Sequence, residues 1–177
     1  MKLIIRQDDF DFRLPPEKYI ENHKKFIEAG LTETAVLQLC QNGNLAEFHP
    51  DIIEYLKTAP NWDIQLHGWS HDNYSEMKFQ FVLRDISAAM YWVEGLLGKK
   101  PTIWFPPWNQ TSVEMKEVAK ILELEINNES NDIEKFIREV KDGSFKGGSV
   151  YYHLWHHHDF ELIDEMIECA KQYVNNG

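Results

Sequence analysis

The stretch Asp63-Ile64-Gln65-Leu66-His67-Gly68-Trp69-Ser70-His71 joins a short apolar strand pattern to a polar loop that carries two histidines four residues apart. Neutral imidazoles are good ligands for divalent transition metals, and this spacing allows two of them to face one ion. The best candidate for a third ligand is Asp9, at the end of the first strand pattern. The sequence therefore predicts an open metal site, with room for water, formed by Asp9, His67 and His71.

Strand and helix patterns alternate six times along the chain. The strand patterns cover residues 2–8, 34–40, 63–66, 102–105, 124–127 and 149–155. The helix patterns cover residues 16–30, 50–57, 76–97, 111–122, 132–140 and 160–174. This alternation predicts a parallel sheet with helical crossovers, either an open doubly wound sheet or a barrel.

The length of the chain limits the choice of architecture. A full eight-fold barrel takes about 250 residues, so any barrel in a chain of 177 residues must be reduced. No linker, repeat or low-complexity tract interrupts residues 1–177, which predicts a single domain.

Candidate chemical groups collect at the carboxyl ends of the predicted strands, where parallel α/β folds form their sites. Asp8 and Asp9 follow the first strand, His67 follows the third, and Pro106-Pro107-Trp108 follows the fourth. Four histidines lie around the end of the sixth strand, at positions 153, 156, 157 and 158. This coincidence predicts an active site at that edge of the sheet.

Composition narrows the classes of partner. The net charge of -11 argues against nucleic acid or an anionic membrane as the main partner. No segment is apolar over the length of a bilayer span, and the first residues lack a signal-peptide pattern, so a cytoplasmic protein is expected. Cys40 and Cys169 are too few for a disulfide framework and are interpreted as small buried hydrophobic residues.

Each candidate also has a structural interpretation. Asp8 and Asp9 could cap a segment or lie in solvent, and Gly68 replaces the Glu that a helical His-Glu-x-x-His zinc motif would need. His153, at a strand end, could be a general acid, whereas at least two of His156 to His158 are expected in a polar loop.

Taken in order, these motifs resemble the polysaccharide deacetylase family (carbohydrate esterase family 4, the NodB-homology domain). The resemblance implies that Asp8 is the general base, Asp9 a metal ligand, and His67 and His71 the other ligands. It also implies that His153 is the general acid, with His156 left as an alternative. A reduced, distorted (β/α) barrel of about six βα units is the implied fold, and the implied cofactor is a divalent ion, most naturally Zn²⁺.

The implied activity is removal of an acetyl group from an N-acetylated sugar or glycan. The metal and a main-chain amide at Trp108 would hold the oxyanion. Trp69, Trp108 and Trp155 would offer faces on which a sugar ring stacks, and Arg6 and His156 are further substrate-site candidates.

Two departures from the family pattern are visible. The aromatic-Arg-Pro-Pro-aromatic motif has Phe105 in place of Arg, and the motif whose Asp tunes the catalytic histidine has no clean counterpart among Asn127, Asn128 and Asp132. The base and the acid are therefore expected to lack their usual supporting contacts. Arg6 lies two residues before Asp8, on the same face of the strand, and is predicted to pair with it.

These departures leave two alternatives open. One is a degenerate family member that binds a glycan or a metal without turnover. The other is a metal-dependent amidase or esterase that acts on a small metabolite. A nucleotide-binding α/β protein is a weaker alternative, because no Gly-rich phosphate loop follows the first strand.

Overall fold

A computed structural model describes residues 3–41, 44–45, 50–129 and 131–176. The strands are β1 Leu3–Phe10, β2 Glu33–Gln38, β3 Cys40–Gln41, β4 Asn44–Leu45, β5 Trp62–Gly68, β6 Ile103–Trp104, β7 Glu125–Ile126, β8 Asn131–Asp132 and β9 Gly148–Tyr152. The α-helices are α1 Pro16–Glu28, α2 Pro50–Thr58, α3 Phe79–Leu97, α4 Val113–Ile121, α5 Ile133–Lys141 and α6 His157–Asn176. Short 3₁₀ helices cover Tyr74–Glu76 and Pro107–Asn109. In the described part of the chain, no helix is long and apolar enough to cross a bilayer.

Seven strands form one parallel sheet in the order β7-β6-β5-β2-β1-β9-β8, and β3 pairs with β4 in a separate antiparallel ribbon. The two edge strands, β7 and β8, are neighbours in sequence. In a flat sheet, six spacings of about 4.8 Å would separate them by about 29 Å. The five Cα steps from Ile126 to Asn131 reach at most about 19 Å, so the sheet must curl until its edges approach each other. This geometry confirms the predicted reduced, distorted barrel.

Three helix ends lie where the sequence predicts them, namely the starts of α4 and α5 and the end of α3. Ser112 Oγ accepts a hydrogen bond from Met115 N at the start of α4, and Asp132 Oδ1 accepts one from Lys135 N at 2.7 Å at the start of α5. Gly98 ends α3 in the left-handed conformation, with φ of 67°. These caps fix the helices that close the outside of the barrel.

The sixth predicted strand ends earlier, and the last helix begins earlier, than the sequence predicts. That strand, β9, ends at Tyr152 rather than at Trp155, and α6 begins at His157 rather than at residue 160. The carboxylate of Asp159 accepts a hydrogen bond from the backbone N of His153 at 2.8 Å, which turns the chain out of the sheet early. The sequence analysis does not predict β4 and β8, and its second strand, 34–40, runs into Cys40, the first residue of β3.

A buried polar cluster attaches α1 to the sheet. Glu33, which is fully buried at the start of β2, accepts hydrogen bonds from Asn22, His23 and Tyr152. The second ring nitrogen of His23 lies 2.9 Å from the carbonyl oxygen of Pro60. One carboxylate therefore satisfies donors from α1 and β9 in a region without solvent.

Replacing Glu33 by Ala should lower the free energy of unfolding by about 3–5 kcal/mol, because it leaves three buried donors without their acceptor. Urea unfolding followed by tryptophan fluorescence measures the change. Glu21→Ala, on the exposed side of the same helix α1, is the matched control and should change stability little. A loss of less than about 1 kcal/mol in Glu33→Ala would show that the cluster is not a main attachment of α1.

Candidate metal centre and active site

The end of β1 brings two adjacent carboxylates to the same edge of the sheet. Asp9 has φ of 52°, in the left-handed region, and the register between β1 and β2 shifts between Gln7 and Phe10. This irregularity breaks the alternation of an extended strand, in which neighbouring side chains point to opposite faces. As a result Asp8 and Asp9 are both buried at the end of the strand where the predicted site lies.

The three predicted metal ligands converge. Asp9 Oδ1 lies 3.1 Å from His67 Nε2 and 3.2 Å from His71 Nε2. One ligand atom from each residue lies within 4.8 Å of the others. Because His67 ends β5 and His71 lies in the turn that follows, their four-residue spacing places both imidazoles beside the end of β1.

His67 is held in the tautomer that a metal ligand needs. Its Nδ1 lies 2.7 Å from the carbonyl oxygen of Phe105, which can only accept, so Nδ1 carries the proton. Nε2 then faces Asp9 with its lone pair. The backbone N of Phe105 donates to Leu66 O at 2.8 Å, which fixes this carbonyl against β5.

The donor set fits a divalent transition metal. Asp9 Oδ1 is buried and has no hydrogen-bond partner among the described residues, as expected of an atom that ligates a cation. One carboxylate oxygen and two imidazole nitrogens match the ligands of catalytic zinc sites, which leave a position for water or substrate.

Arg6 forms the predicted contact with Asp8. The guanidinium is fully buried, and its Nη1 lies 3.0 Å from Asp8 Oδ2. Arg6 Nη2 donates to Asn109 Oδ1 at 2.8 Å and to the carbonyl oxygen of Glu129 at 2.9 Å. The other carboxylate oxygen of Asp8, Oδ1, is buried and has no hydrogen-bond partner in the described ranges.

Phe105 lies against this arginine. The Arg6 guanidinium carbon is 4.8 Å from the centre of the Phe105 ring and 5.3 Å from the centre of the Tyr151 ring. An aromatic ring at position 105 thus packs on a cation that comes from β1. The usual arginine is absent at position 105, and the predicted replacement is present, since Arg6 reaches Asp8 from the same strand.

His153 lies beside the metal ligands and is held by an aspartate that the sequence analysis missed. Its Nε2 is 4.0 Å from Asp9 Oδ2, and its Nδ1 is 3.3 Å from Asp159 Oδ2. Asp159 Oδ1 receives His156 Nδ1 at 2.9 Å. The expectation that the predicted acid lacks a partner is therefore wrong, because Asp159 comes from the first turn of α6. The sequence could have indicated this contact, because Asp159 follows His153 by only six residues.

The charges around His153 favour its protonated form. Burial lowers the pKa of His153, but the hydrogen bond with Asp159 and the charges of Asp8 and Asp9 outweigh burial and raise it. Burial likewise raises the pKa of Asp159, yet its contacts with His153 and His156 lower it to about 2. Asp159 is thus ionised at neutral pH and can orient the His153 ring.

Asn127 and Asp132, in the region where the family's fourth motif has no clean counterpart, make other contacts. Asp132 caps α5, and Asn127 Oδ1 accepts a hydrogen bond from Glu129 N at 3.1 Å. His157 and His158 lie at the surface beside Glu161 and Glu134, but in the first turn of α6 and not in the predicted polar loop. Of the four histidines in this cluster, the structure brings His153 to Asp9.

A cavity of about 770 Å³ opens beside the metal centre. Trp69 and Trp155 line it together with Asp9 and His71. Trp108 is 62% exposed and is not among the described residues that line the cavity, and its ring centre is 4.9 Å from that of His71. Two of the three predicted aromatic residues therefore line the cavity, and the third packs against a ligand histidine.

A family model described as polysaccharide deacetylase matches residues 30–126, a range that contains His67, His71 and the Pro106-Pro107 loop. No curated protein sequence matches the chain.

Three solved structures illustrate the similarity in fold. A family 4 carbohydrate esterase from Streptomyces lividans, in complex with acetate, has a TM-score of 0.73 at 15% identity, over 94% of this chain and 86% of that one. A family 4 acetyl xylan esterase from Clostridium thermocellum, with a cobalt ion, has a TM-score of 0.75 at 13% identity, over 99% and 84%. A CE4 family pseudoenzyme from Bacillus anthracis has a TM-score of 0.73 at 14% identity, over 96% and 60%.

Replacement of His67 by Ala should reduce the metal content of the purified protein from about one ion per chain to background, because one of three ligands is removed. Elemental analysis of protein made without an affinity tag measures this content. His157→Ala, which removes a histidine whose side chain is 85% exposed on α6, is the control and should retain the ion. Equal metal in His67→Ala and wild type would rule out this centre.

Proposed function

Because the chain belongs to the polysaccharide deacetylase family, we propose that it is a metal-dependent hydrolase that removes an acetyl group from an N-acetylated sugar or a related amide. The observation that carries the proposal is the convergence of Asp9, His67 and His71 beside two further titratable groups, Asp8 and His153. A similar esterase was solved in complex with acetate, which is the product that deacetylation would release.

We infer that the ion is zinc, held by Asp9, His67 and His71. One carboxylate and two imidazoles are a common ligand set for catalytic zinc, although a similar esterase was solved with cobalt. When bound, such an ion supplies Lewis acidity, which polarises the acetyl carbonyl and activates water. The protein's own residues then supply the proton transfers and the orientation of the substrate.

Asp8 is the proposed general base. Its Oδ2 is engaged by Arg6 at 3.0 Å, whereas Oδ1 has no hydrogen-bond partner in the described chain. A carboxylate held by one oxygen presents the other in a fixed direction, where it can accept a proton as water attacks. Arg6 is a positioning residue in this scheme, because it acts through Asp8.

His153 is the proposed general acid. Asp159 binds its Nδ1, which leaves Nε2 on the side of Asp9 to donate a proton to the leaving amine. The ring nitrogen of His156 is turned to the same aspartate at 2.9 Å, which favours His153 over His156 for this role. We propose Asp159 as the residue that positions the acid.

The loop after β6 is proposed to stabilise the developing oxyanion through the main-chain amide of Trp108. Trp108 and Asn109 have positive φ values of 62° and 51°, an unusual conformation for two consecutive residues other than glycine. Backbone in this conformation is often found at functional sites. Arg6 connects this loop to the proposed base, because it donates a hydrogen bond to Asn109 and pairs with Asp8.

A second candidate is a family member that binds without turnover. A structurally similar protein is a pseudoenzyme, and Phe105 occupies the position of the family arginine. The contacts of Arg6 with Asp8 and of Asp159 with His153 support the enzyme instead, because each replaces the supporting contact whose loss favoured a degenerate protein. Acetate release by the zinc-loaded protein separates the two functions.

Asp8→Asn and His153→Ala should each lower kcat for an N-acetyl amide by about 10²–10⁴-fold while the metal remains bound, since each removes one proton transfer. The two variants should differ on 4-nitrophenyl acetate, whose leaving group departs without receiving a proton. On this ester His153→Ala should regain most of the wild-type rate, whereas Asp8→Asn should not. Acetate release and nitrophenolate absorbance measure the two reactions.

The positioning role of Asp159 gives the control for this experiment. Asp159→Asn should lower kcat for the amide more than it changes KM, and should spare the ester, as His153→Ala does. Normal amide turnover by Asp8→Asn or by His153→Ala would remove that residue from its proposed role. Similar losses on both substrates in His153→Ala would show that His153 does not act as an acid.

Arg6→Met should lower kcat by about 10–100-fold, the usual cost of losing a contact that orients a catalytic group. Because the Arg6 guanidinium packs on the Phe105 ring, the side chain of an arginine introduced at position 105 would lie close to the place that the Arg6 guanidinium occupies in the wild type. The double variant Arg6→Met/Phe105→Arg should therefore recover part of the activity. Full activity in both Arg6→Met and Arg6→Lys would contradict the role, and thermal melting shows whether each variant is folded.

A further inference from the structure

The cavity beside the metal centre contains an arginine that the proposed mechanism does not use. Arg13 lines the cavity together with Asp9, His71 and Trp155. It follows β1 by three residues, and its side chain is 28% exposed. A cation in the wall of the same cavity as the reacting centre can select substrates by charge.

The guanidinium of Arg13 is held along one edge by Asp11 and on one face by Trp155. Its Nε donates to Asp11 Oδ2 at 2.6 Å, and its Nη2 lies 2.5 Å from the same oxygen. The Asp11 side chain is completely buried, and its Oδ1 accepts a hydrogen bond from the backbone N of Arg13 at 3.2 Å. The guanidinium carbon also lies 4.7 Å from the centre of the Trp155 ring. Such an arginine has lost its rotamer freedom before any ligand binds.

The geometry of the guanidinium leaves a second edge available. The group has five N–H donors in a planar fork, and Asp11 occupies the edge formed by Nε and Nη2. Within the described residues, Nη1 has no acceptor. The edge formed by Nη1 and Nη2 matches the two oxygens of a carboxylate, which arginine binds through two parallel hydrogen bonds.

The acidic residues of the cavity are already partnered. Asp72 accepts a hydrogen bond from Ser70 Oγ at 2.5 Å, and Asp85 pairs with Arg84 at 2.7 Å. Asp9 faces the metal position. Ser70 is neutral, so the charged residues that line the cavity (Asp9, Arg13, Asp72, Arg84 and Asp85) carry a net charge of -1, and a bound divalent cation would bring their sum to +1 although the chain carries a net charge of -11.

The stacking of Arg13 also restricts Trp155. One face of this indole is covered by the guanidinium, so that face is not available to a sugar ring. The volume of about 770 Å³ is in the range of pockets that enclose one small ligand. Both observations favour a single small molecule over a long neutral polymer chain.

We propose that this cavity binds a small N-acetylated acid, with the substrate carboxylate on Arg13 and the acetyl group at the metal centre. The inference rests on the proposed deacetylase function and adds the class of substrate. Arg13 is its specificity-determining residue, Asp11 and Trp155 hold the guanidinium, and the carboxylate is bound without any covalent step.

Binding of a matched pair of probes tests the inference. N-acetylmuramic acid and N-acetylglucosamine share the ring and the acetamide, but only the first carries a carboxylate. Isothermal titration calorimetry with the zinc-loaded protein should show at least about tenfold tighter binding of the acid. Arg13→Gln should weaken the binding of N-acetylmuramic acid by about 10–100-fold, which is the cost of losing one or two charge-assisted hydrogen bonds. Arg13→Lys, which keeps the charge and loses the fork, should fall between the two.

Lys146→Gln is the charge-matched control, because it removes one exposed cation next to the start of β9, at the opposite end of the barrel. It should bind both probes as wild type does. Equal affinity for the two probes, or no binding of either, would overturn the inference. The inference would also be overturned if Arg13→Gln bound N-acetylmuramic acid as tightly as wild type does, because the carboxylate would then be bound by the metal alone.

Acetate release measured on the same samples separates this inference from the proposed function. Binding of the acid that depends on Arg13, without acetate release, would refute the deacetylase and retain the carboxylate site. Acetate release from the neutral probe at the same efficiency as from the acid would support the deacetylase and refute the carboxylate site.

Discussion

The buried contact between Arg6 and Asp8 is the constraint on which much of the site depends. A guanidinium without solvent is costly unless its charge and its donors are satisfied. Here Asp8 supplies the opposite charge, and Asn109 and the carbonyl oxygen of Glu129 accept hydrogen bonds from Nη2, whereas Nε and Nη1 have no hydrogen-bond partner among the described residues. These partners belong to β1, to the loop after β6 and to the segment between the two edge strands. One side chain thus ties the proposed base to the region where the curled sheet is open.

In the reduced barrel, the contacts of Arg6 connect segments near the two sheet edges. Strands β7 and β8 are consecutive in sequence but lie at opposite ends of the hydrogen-bonded order, so no ladder joins them. Side-chain contacts must then replace backbone pairing in this region. Arg6 reaches Glu129 in the connecting segment, and the Glu129 carboxylate accepts a hydrogen bond from Ser149 N at the start of β9. The position of the base and the closure of the barrel therefore depend on neighbouring contacts.

In His67 and in His153, one ring nitrogen contacts a supporting group and the other faces Asp9. The Phe105 carbonyl takes Nδ1 of His67, and Asp159 takes Nδ1 of His153. The remaining Nε2 atoms both face Asp9, at 3.1 Å and 4.0 Å. Because the supporting partner fixes the tautomer, one nitrogen is available as a ligand and the other as a proton donor. Phe105 contributes its backbone to the first histidine and its ring to Arg6.

The sequence by itself determined the alternation of strands and helices and the spacing of His67 and His71, because both are local patterns that the order of residues records directly. Asp9 was a candidate ligand because it lies at the end of the first strand pattern, and the choice of a reduced barrel over an open sheet came from the resemblance to the family. The partner of Arg6 could also be predicted, because residues two apart on a strand share a face. Only the tertiary structure decided that Asp159 supports His153 and that Arg13 has an open edge in the cavity. Both facts depend on where the first turn of α6 and the segment after β1 pack against the barrel, and contacts between distant elements have no period in the sequence.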